Sequence, residues 1–161
     1  MKQRPKTNAA RLLDKAGIKY DLNPYEVDED DLSAAHVAGQ LGVDPALLFK
    51  TLVLRGDRTG IFVCVIPGDA ETDLKKAAKV SGNKNADLIP MKELLSAVGY
   101  IRGACSPVGM KKRFPTYIDS SAQEKTAVYI SAGVRGLQIK LAPEDLAEYT
   151  GAAVADLTVQ P

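Results

Sequence analysis

Residues 51–68 read TLVLRGDRTGIFVCVIPG, two apolar runs that flank a short polar turn. The two runs hold the densest group of β-branched residues in the chain, and Gly56 and Gly60 border the polar residues between them. This pattern is typical of a β-hairpin. Its apolar content predicts that the hairpin forms the centre of the sheet.

Helix and strand signals follow one another irregularly on both sides of this hairpin. Thr7 or Asn8 can cap a first helix that stops at Gly17, and Ser33 can cap a second helix that ends near Gly42. Further helices are predicted at residues 74–82, 90–99 and 143–151, and further strands at 18–22, 116–118, 126–131 and 137–141.

The predicted hairpins exclude a regular alternation of strand and helix. We therefore expect an α/β (α+β) fold with a mixed, largely antiparallel and partly barrel-like sheet on which the helices pack. The sequence contains neither an internal repeat nor a low-complexity linker. The expected organisation is one domain over residues 1–161.

The lysine-rich segment at 74–82 reads as an amphipathic helix. Asp73 is expected to cap it, and Leu74, Ala77 and Ala78 are expected to face the core while the lysines stay in water. The acidic residues at 69–71 precede this helix, where carboxylates are favoured by the helix dipole.

Composition excludes several classes of protein. The 161 residues carry 21 lysines and arginines against 20 aspartates and glutamates, which argues against a generally basic nucleic-acid coat. The two cysteines lack disulfide or zinc spacing, which favours a reducing cytoplasm. One histidine and two distant cysteines do not supply a zinc or iron site, although carboxylates could hold a loose magnesium, and we expect no metal and no cofactor. No apolar run has the length of a membrane span or of a signal peptide core.

Conventional catalytic groups are scarce in this chain. His36 is the single histidine and lies in an alanine-rich helix, so no Ser/His/Asp triad can be assembled. Cys64 is interpreted as a small apolar residue of a strand. Cys105 lies in a glycine-rich loop whose N–H groups could activate a thiol, although no histidine is near it in sequence to act as a base.

Two features point instead to an anion or a polarised carbonyl. Lys50 interrupts an apolar run at the start of the hairpin, where it is expected either to bind an anion or to extend toward solvent. Residues 100–119 read YIRGACSPVGMKKRFPTYID, in which a glycine- and proline-rich loop precedes three cations. The loop N–H groups could receive an oxyanion, or the segment could be a surface turn with a solvated basic tail.

Several motifs in order along the chain resemble the YbaK/EbsC family of bacterial aminoacyl-tRNA deacylases. They are Lys50-Thr51-Leu52, Asp73-Leu74-Lys75-Lys76, the run from Gly103 to Gly109, Lys111-Lys112-Arg113, Pro115, Asp119 and Ser131-Ala132-Gly133. The resemblance implies a six- or seven-stranded, partly barrel-like sheet. It also implies that the protein is a free-standing relative of the editing domain of prolyl-tRNA synthetase. The activity implied is deacylation of Cys-tRNA(Pro), which could extend to Cys-tRNA(Cys).

The resemblance assigns roles to particular residues of this chain. The catalytic set is Lys50, Gly103, Ser106 and Gly109. Substrate contacts are implied for Tyr20, Phe49, Thr51, Cys105, Pro107, Asp119, Ser131 and Gly133, and contacts with tRNA phosphates are expected for Lys111, Lys112 and Arg113. Ala104 and Met110 depart from the residues usual in the family, glycine and glutamine.

In this family the thiol of the substrate is thought to attack its own ester, which would explain the scarcity of catalytic groups. The implied partners are the acceptor end of mischarged tRNA and, transiently, prolyl-tRNA synthetase, with neither DNA nor a membrane involved. Two alternatives stay open from the residues: a non-catalytic module that binds the tRNA end or the synthetase, and a hydrolase that uses Cys105 as nucleophile.

Overall fold

The hairpin occupies the middle of a sheet, as predicted. A computed structural model describes residues 6–160, and in it β2 (Phe49–Gly56) and β3 (Gly60–Pro67) pair antiparallel along their whole length. Gly60 closes the turn with φ of +78°, a conformation that residues with a Cβ rarely adopt. Residues 62–67 of β3 are all buried.

The strands form two sheets. A five-stranded sheet has the order β4-β2-β3-β5-β8, and a three-stranded antiparallel sheet has the order β1-β7-β6. The remaining strands are β1 (Tyr20–Pro24), β4 (Ala86–Leu88), β5 (Thr116–Asp119), β6 (Val128–Ser131), β7 (Leu137–Leu141) and β8 (Ala153–Ala155). An isolated parallel bridge between Leu48 and Tyr129 connects the two sheets.

Five α-helices surround the sheets: α1 (Asn8–Lys15), α2 (Ala34–Leu41), α3 (Leu74–Val80), α4 (Leu94–Val98) and α5 (Pro143–Thr150). Short 3-10 helices lie at Pro45–Leu47, Met91–Glu93 and Ser120–Glu124. The predicted caps are confirmed: Thr7, Ser33 and Asp73 each accept a hydrogen bond from a backbone N–H in the first turn.

The mixed α+β fold class is confirmed, with one difference in detail. As expected for a mixed, largely antiparallel fold, two parallel pairs, β3 with β5 and β5 with β8, join the antiparallel ones. The described chain has eight strands in two sheets rather than six or seven in one, because the three-residue edge strands β4 and β8 carry no alternating pattern of their own.

One prediction about α3 is wrong. Ala77 and Ala78 are buried as expected, but Leu74 is 37% exposed. The buried face of this seven-residue helix belongs to its second turn, and Leu74 lies in the first turn, beyond that face.

The alternation of β3 separates two layers of core. Val63 and Val65 pack in the cluster shared with the three-stranded sheet, α1 and α5, whereas Phe62, Cys64 and Ile66 pack against α3. Successive side chains of a strand point to opposite faces, so one strand supports both layers. The Cys64 side chain is fully buried there, as its interpretation as an apolar residue required.

Candidate active site

A cavity of about 530 Å³ opens where β2 begins, between α2, the 88–94 segment and the loop at 102–105. Six of the predicted site residues line it: Phe49, Lys50, Thr51, Gly103, Cys105 and Ser131. Phe49, Lys50 and Thr51 reach it because they are the first three residues of β2. Ser131 reaches it as the last residue of β6.

Lys50 supplies a cation to this cavity. Its ammonium Nζ donates to the carbonyl oxygen of Gly68 over a long 3.4 Å, and its side chain is half-buried. Burial lowers the pKa of Lys50 from its ordinary value, and the charges of Glu71 and Asp69 oppose that shift. A partly desolvated ammonium with such a weak hydrogen bond has capacity left for a carbonyl or an anion.

The loop at 102–108 is held by its carbonyl groups. Arg135 Nε donates to the carbonyl of Arg102 at 2.9 Å, and Ser131 Oγ donates to the carbonyl of Ala104 at 2.8 Å. Both donors come from the β6–β7 hairpin or its turn, and Ser131 Oγ in turn accepts from the N–H of Gly133 at 3.1 Å. The three-stranded sheet therefore positions the first half of the loop.

Tyr100 holds the second half. Its hydroxyl donates to the carbonyl of Val108 at 2.6 Å, and burial raises the pKa of Tyr100 to about 12, which keeps the proton on the donor. A Cβ at Gly109 would lie 2.7 Å from the Tyr100 hydroxyl oxygen, and a Cβ at Gly133 would lie 3.0 Å from its ring. The two glycines are needed because this ring occupies the space beside them.

Anchoring the carbonyls sets the direction of the N–H groups that follow them. In a trans peptide the C=O and the next N–H point in opposite directions, and the described chain has no cis peptide bond. The N–H groups of Gly103, Cys105 and Gly109 consequently point away from Arg135, Ser131 and Tyr100. None of these three N–H groups has an acceptor within residues 6–160.

The residues that carry these three N–H groups line two different cavities. Gly103 and Cys105 line the cavity that contains Lys50. Gly109 and Pro107 instead line a second cavity of about 320 Å³, together with Lys112 and Arg113. Gly103 and Cys105 thus share a cavity with Lys50, whereas the predicted partner Gly109 lines the other cavity.

Cys105 forms part of the cavity wall. Burial raises the pKa of its thiol to about 12, so almost no thiolate exists at neutral pH. No histidine, aspartate or glutamate is found among the described residues that line the cavity. A Cys105 nucleophile would therefore have no base beside it.

Four other predicted residues lie outside the first cavity. Ser106 is fully buried and its Oγ accepts from the N–H of Val108 at 3.2 Å. Asp119 accepts hydrogen bonds from Ser121 and from the N–H of Leu157, which fastens the chain after β5 and near the C-terminus. The Tyr20 hydroxyl donates to Asp14 of α1, and Gly133 packs on the ring of Tyr100. The catalytic role of Ser106 and the substrate contacts of Tyr20, Asp119 and Gly133 stay predictions.

The three consecutive cations diverge. Lys111 Nζ donates to the carbonyl of Ser96 in α4 at 3.3 Å. Arg113 donates to the carbonyl of Tyr149 in α5 at 2.5 Å, and Lys112 lines the second cavity with it. All three side chains are exposed, so phosphate contacts are geometrically open to them and stay a prediction.

Sequence reasoning missed Tyr100, Arg135 and Gln138. Gln138 is 5% exposed, lines the cavity and lies directly across the β6–β7 pair from Ser131. One sequence signal could have found Gln138: like Lys50, it is a polar residue that interrupts an apolar strand. Tyr100 and Arg135 act through contacts 8 and 33 residues away, which no local pattern reveals.

The described residues show neither a metal-binding cluster nor a membrane-spanning helix. Within the described chain, no three histidine, cysteine, aspartate or glutamate side chains come together as a metal ion would need. Over the same residues, no helix combines the length and the hydropathy needed to cross a membrane.

Comparison with known proteins identifies the family. The model of the aminoacyl-tRNA editing domain matches residues 28–149, a stretch that contains Lys50, the loop, Ser131 and Gln138. The chain belongs to this family. The predicted resemblance is confirmed, and the cavity is accordingly the candidate site of an editing domain.

Two curated relatives resemble this editing domain in sequence. It is 47% identical over 159 residues to the Enterococcus faecalis protein named "Putative Cys-tRNA(Pro)/Cys-tRNA(Cys) deacylase EbsC", covering 99% of this chain and 97% of that protein. It is 31% identical over 128 residues to the Bacillus subtilis protein YwhH, covering 78% and 81% of the two chains.

Solved structures share the fold of this editing domain. The protein APE2540 superposes with a TM-score of 0.84 at 26% identity, covering 92% of this chain and 97% of that one. A structure described as a trans-editing enzyme for prolyl-tRNA synthetase gives a TM-score of 0.81 at 24% identity, covering 97% and 100%. The second likeness establishes the fold alone.

Proposed function

We propose that this protein deacylates mischarged tRNA, with Cys-tRNA(Pro) and Cys-tRNA(Cys) as its substrates. The observation that carries the proposal is the lining of the first cavity: Lys50 shares it with Gly103 and Cys105, whose N–H groups have no acceptor within residues 6–160, and no histidine, aspartate or glutamate of the described residues lines it. The name of the relative that is 47% identical over nearly the whole chain supports the same activity.

The reaction follows from what the cavity lacks and what the substrate brings. The cysteine thiol of the substrate attacks its own ester carbonyl, so that a C–S bond forms and the ester C–O bond breaks. The thiol loses its proton and the ribose oxygen leaves with one, which releases a cysteine thiolactone and a free tRNA end. The attack is intramolecular, so the protein contributes mainly by fixing the reacting conformation.

The protein groups stabilise the charge that develops on the carbonyl oxygen. The N–H groups of Gly103 and Cys105 are fixed before the reaction, and one such donor is worth about 10²- to 10³-fold in rate. Lys50 adds a positive charge in a partly desolvated position. In this scheme Lys50 and the two N–H groups contact the reacting ester, while Arg135 and Ser131 position the loop.

The test is a comparison of charged tRNAs. We expect rapid cleavage of Cys-tRNA(Pro) and Cys-tRNA(Cys) and at least about 100-fold slower cleavage of Ala-tRNA(Pro), which lacks the thiol. Equal rates on Cys-tRNA(Pro) and Ala-tRNA(Pro) would contradict attack by the substrate thiol. Failure to cleave any of the three would contradict the activity and leave a tRNA-binding module.

We further propose a transient complex with prolyl-tRNA synthetase, in the cytoplasm, where tRNA is charged. A pocket that binds only the aminoacylated 3′ end contacts little of the tRNA. The selection of tRNA(Pro) would therefore depend on a partner that binds the rest of the molecule. Deacylation of Cys-tRNA(Pro) should then accelerate when synthetase is added. Identical kinetics with and without the synthetase would count against the complex.

A further inference from the structure

One wall of the first cavity is apolar and open to solvent. Four side chains of the segment that joins β4 to α4 line it: Leu88, Ile89, Met91 and Leu94, here called the 88–94 wall. Leu88 is 54% exposed and Met91 is 59% exposed, although both border a cavity. Large apolar side chains grouped beside a pocket commonly contact a ligand.

The rest of the cavity offers polar groups. Lys50 makes one long hydrogen bond, the Gly103 and Cys105 N–H groups have no acceptor within residues 6–160, and Thr51 Oγ1 and Gln138 Oε1 are buried without a hydrogen-bond partner among the described residues. An unsatisfied buried oxygen is costly, so such groups favour a polar ligand beside them. The cavity therefore has one polar part and one apolar part.

An aminoacyl-tRNA end divides in the same way. Its ester and amino acid are polar, whereas the base of the 3′-terminal adenosine is a flat ring that binds by stacking and apolar contact. We propose that the 88–94 wall binds this adenine base while the ester lies at Lys50 and the loop. This inference rests on the proposed function, because it assumes that the ligand is an aminoacyl adenosine.

The charges around the wall fit a nucleotide chain. Arg102 is exposed and lines the cavity, and Lys92 is exposed within the segment itself. Lys111 is fastened to the carbonyl of Ser96, in the helix that follows the wall. Arg102 thus places a cation on the cavity lining where the phosphate that precedes the terminal adenosine would enter, and Lys92 and Lys111 add positive charge on the chain nearby. The thioether of Met91 suits a stacked base because it is flexible and polarisable.

The chain offers a matched control for this wall. Leu95 is 54% exposed, as Leu88 is, and it lies in α4 directly after the wall residue Leu94 without lining the cavity. Leu88→Ala and Met91→Ala should each raise KM for Cys-tRNA(Pro) about five-fold at unchanged kcat, because they remove apolar contact with the bound base. Leu95→Ala should leave both constants unchanged.

Direct binding separates this inference from the proposed function. The probe is a non-cleavable adenosine that carries cysteine through a 3′-amide, measured by calorimetry with the full chain. We expect the wild type and Leu95→Ala to bind it equally, and Leu88→Ala and Met91→Ala to bind it about five-fold more weakly. Thermal unfolding of each variant confirms that the exposed substitutions leave the fold intact.

The outcomes are distinguishable. Equal binding by Leu88→Ala, Met91→Ala and Leu95→Ala, or no binding by the wild type, would overturn the adenine site. If the wild type binds the probe through Leu88 and Met91 but cleaves no charged tRNA, the adenine site stands and the deacylase activity falls. A small ester without adenosine, cysteine ethyl ester, should be cleaved at one rate by the wild type and all three variants.

Discussion

Two turns of this molecule look alike in sequence and differ in the direction of their hydrogen bonds. Arg55-Gly56 opens the hairpin turn, and Arg102-Gly103 opens the loop at 102–108, here called the active-site loop because it borders the candidate site. In the hairpin, Asn83 Oδ1 accepts from the N–H groups of Arg58 and Thr59, both at 2.8 Å. Side-chain oxygen thus satisfies the backbone donors of that turn.

The active-site loop shows the reverse arrangement. Side-chain donors satisfy three of its carbonyl groups, through Arg135, Ser131 and Tyr100, and the N–H groups that follow those carbonyls, at Gly103, Cys105 and Gly109, have no acceptor within residues 6–160. A turn whose N–H groups are satisfied internally has nothing to offer an anion, whereas this loop presents donors that cannot turn away. The direction of the hydrogen bonds, rather than the glycine content, separates a structural turn from a loop that can bind an anion.

The largest effect should come from a cation beside the active-site loop. Lys50→Ala should lower kcat/KM for Cys-tRNA(Pro) about 10²- to 10³-fold, because the ester oxygen loses a charged partner. Arg58→Ala removes a cation from the hairpin turn and should leave the rate unchanged. Steady-state deacylation kinetics measure both, and comparable losses in the two variants would erase the distinction between the turns.

The converse change should affect folding rather than catalysis. Asn83→Ala removes the acceptor of two N–H groups and the Nδ2 donor to Thr59 and Ser81, so the free energy of unfolding should fall by about 2 to 3 kcal/mol.

Denaturant unfolding measures that loss, with the exposed Asn85→Ala as a control that should change stability by less than about 0.5 kcal/mol. The kcat of folded Asn83→Ala should stay within about two-fold of the wild type, since an activity loss beyond the folded fraction would mean that the hairpin turn contributes to the site.

A smaller effect should follow from loosening the loop. Tyr100→Phe deletes one hydroxyl and leaves the Val108 carbonyl without its donor, so stability should fall by about 1 to 2 kcal/mol. If that anchor also steadies the rest of the loop, kcat should fall about three- to ten-fold with KM little changed. Tyr117→Phe, whose ring packs edge-on against Phe62, is the control with expected wild-type kinetics. A stability loss with full kcat would show that the Tyr100 anchor is structural only.

The smallest effect should be at Cys105. Cys105→Ser should retain activity within about two-fold, because the backbone N–H of residue 105 is kept and the thiol is not the nucleophile. With its pKa raised from 9.0 to about 12, the thiol should be alkylated by iodoacetamide at pH 8 two to three orders of magnitude more slowly in the folded than in the unfolded protein. Mass spectrometry of the peptide follows the rate. Rapid alkylation, or loss of activity in the serine variant, would support Cys105 as the nucleophile.

The sequence predicts what is local in this structure. Helix caps such as Ser33 and the strands of the central hairpin depend on residues a few positions apart, so their patterns are sufficient. The edge strands β4 and β8 were missed because pairing with β2 and β5 creates them. The prediction that Leu74 is buried is wrong because the periodicity of a sequence shows which face of a helix is apolar. It does not show which turns of that face pack against the core.

For the candidate site, the motifs located Lys50 and the loop but not their supports. The donors that hold the loop include Ser131 and Arg135, 27 and 33 residues beyond the carbonyls they bind. Such contacts depend on how the three-stranded sheet meets the loop, which a single sequence does not encode in any readable spacing. The sequence prediction places Gly103 and Gly109 in one site, whereas they line different cavities. The reason is the same: the packing of the loop on the sheet decides which cavity each glycine borders.

The two-faced burial of β3 has a consequence for how this protein can change over evolution. Phe62, Cys64 and Ile66 serve one core while Val63 and Val65 serve the other, so an inserted or deleted residue in this strand would send each set into the wrong layer. Length variation should therefore be excluded from residues 62–66 and tolerated at the turn before them. Homologues that differ in length should carry their extra residues around 57–59, as an extended arm on an unchanged sheet.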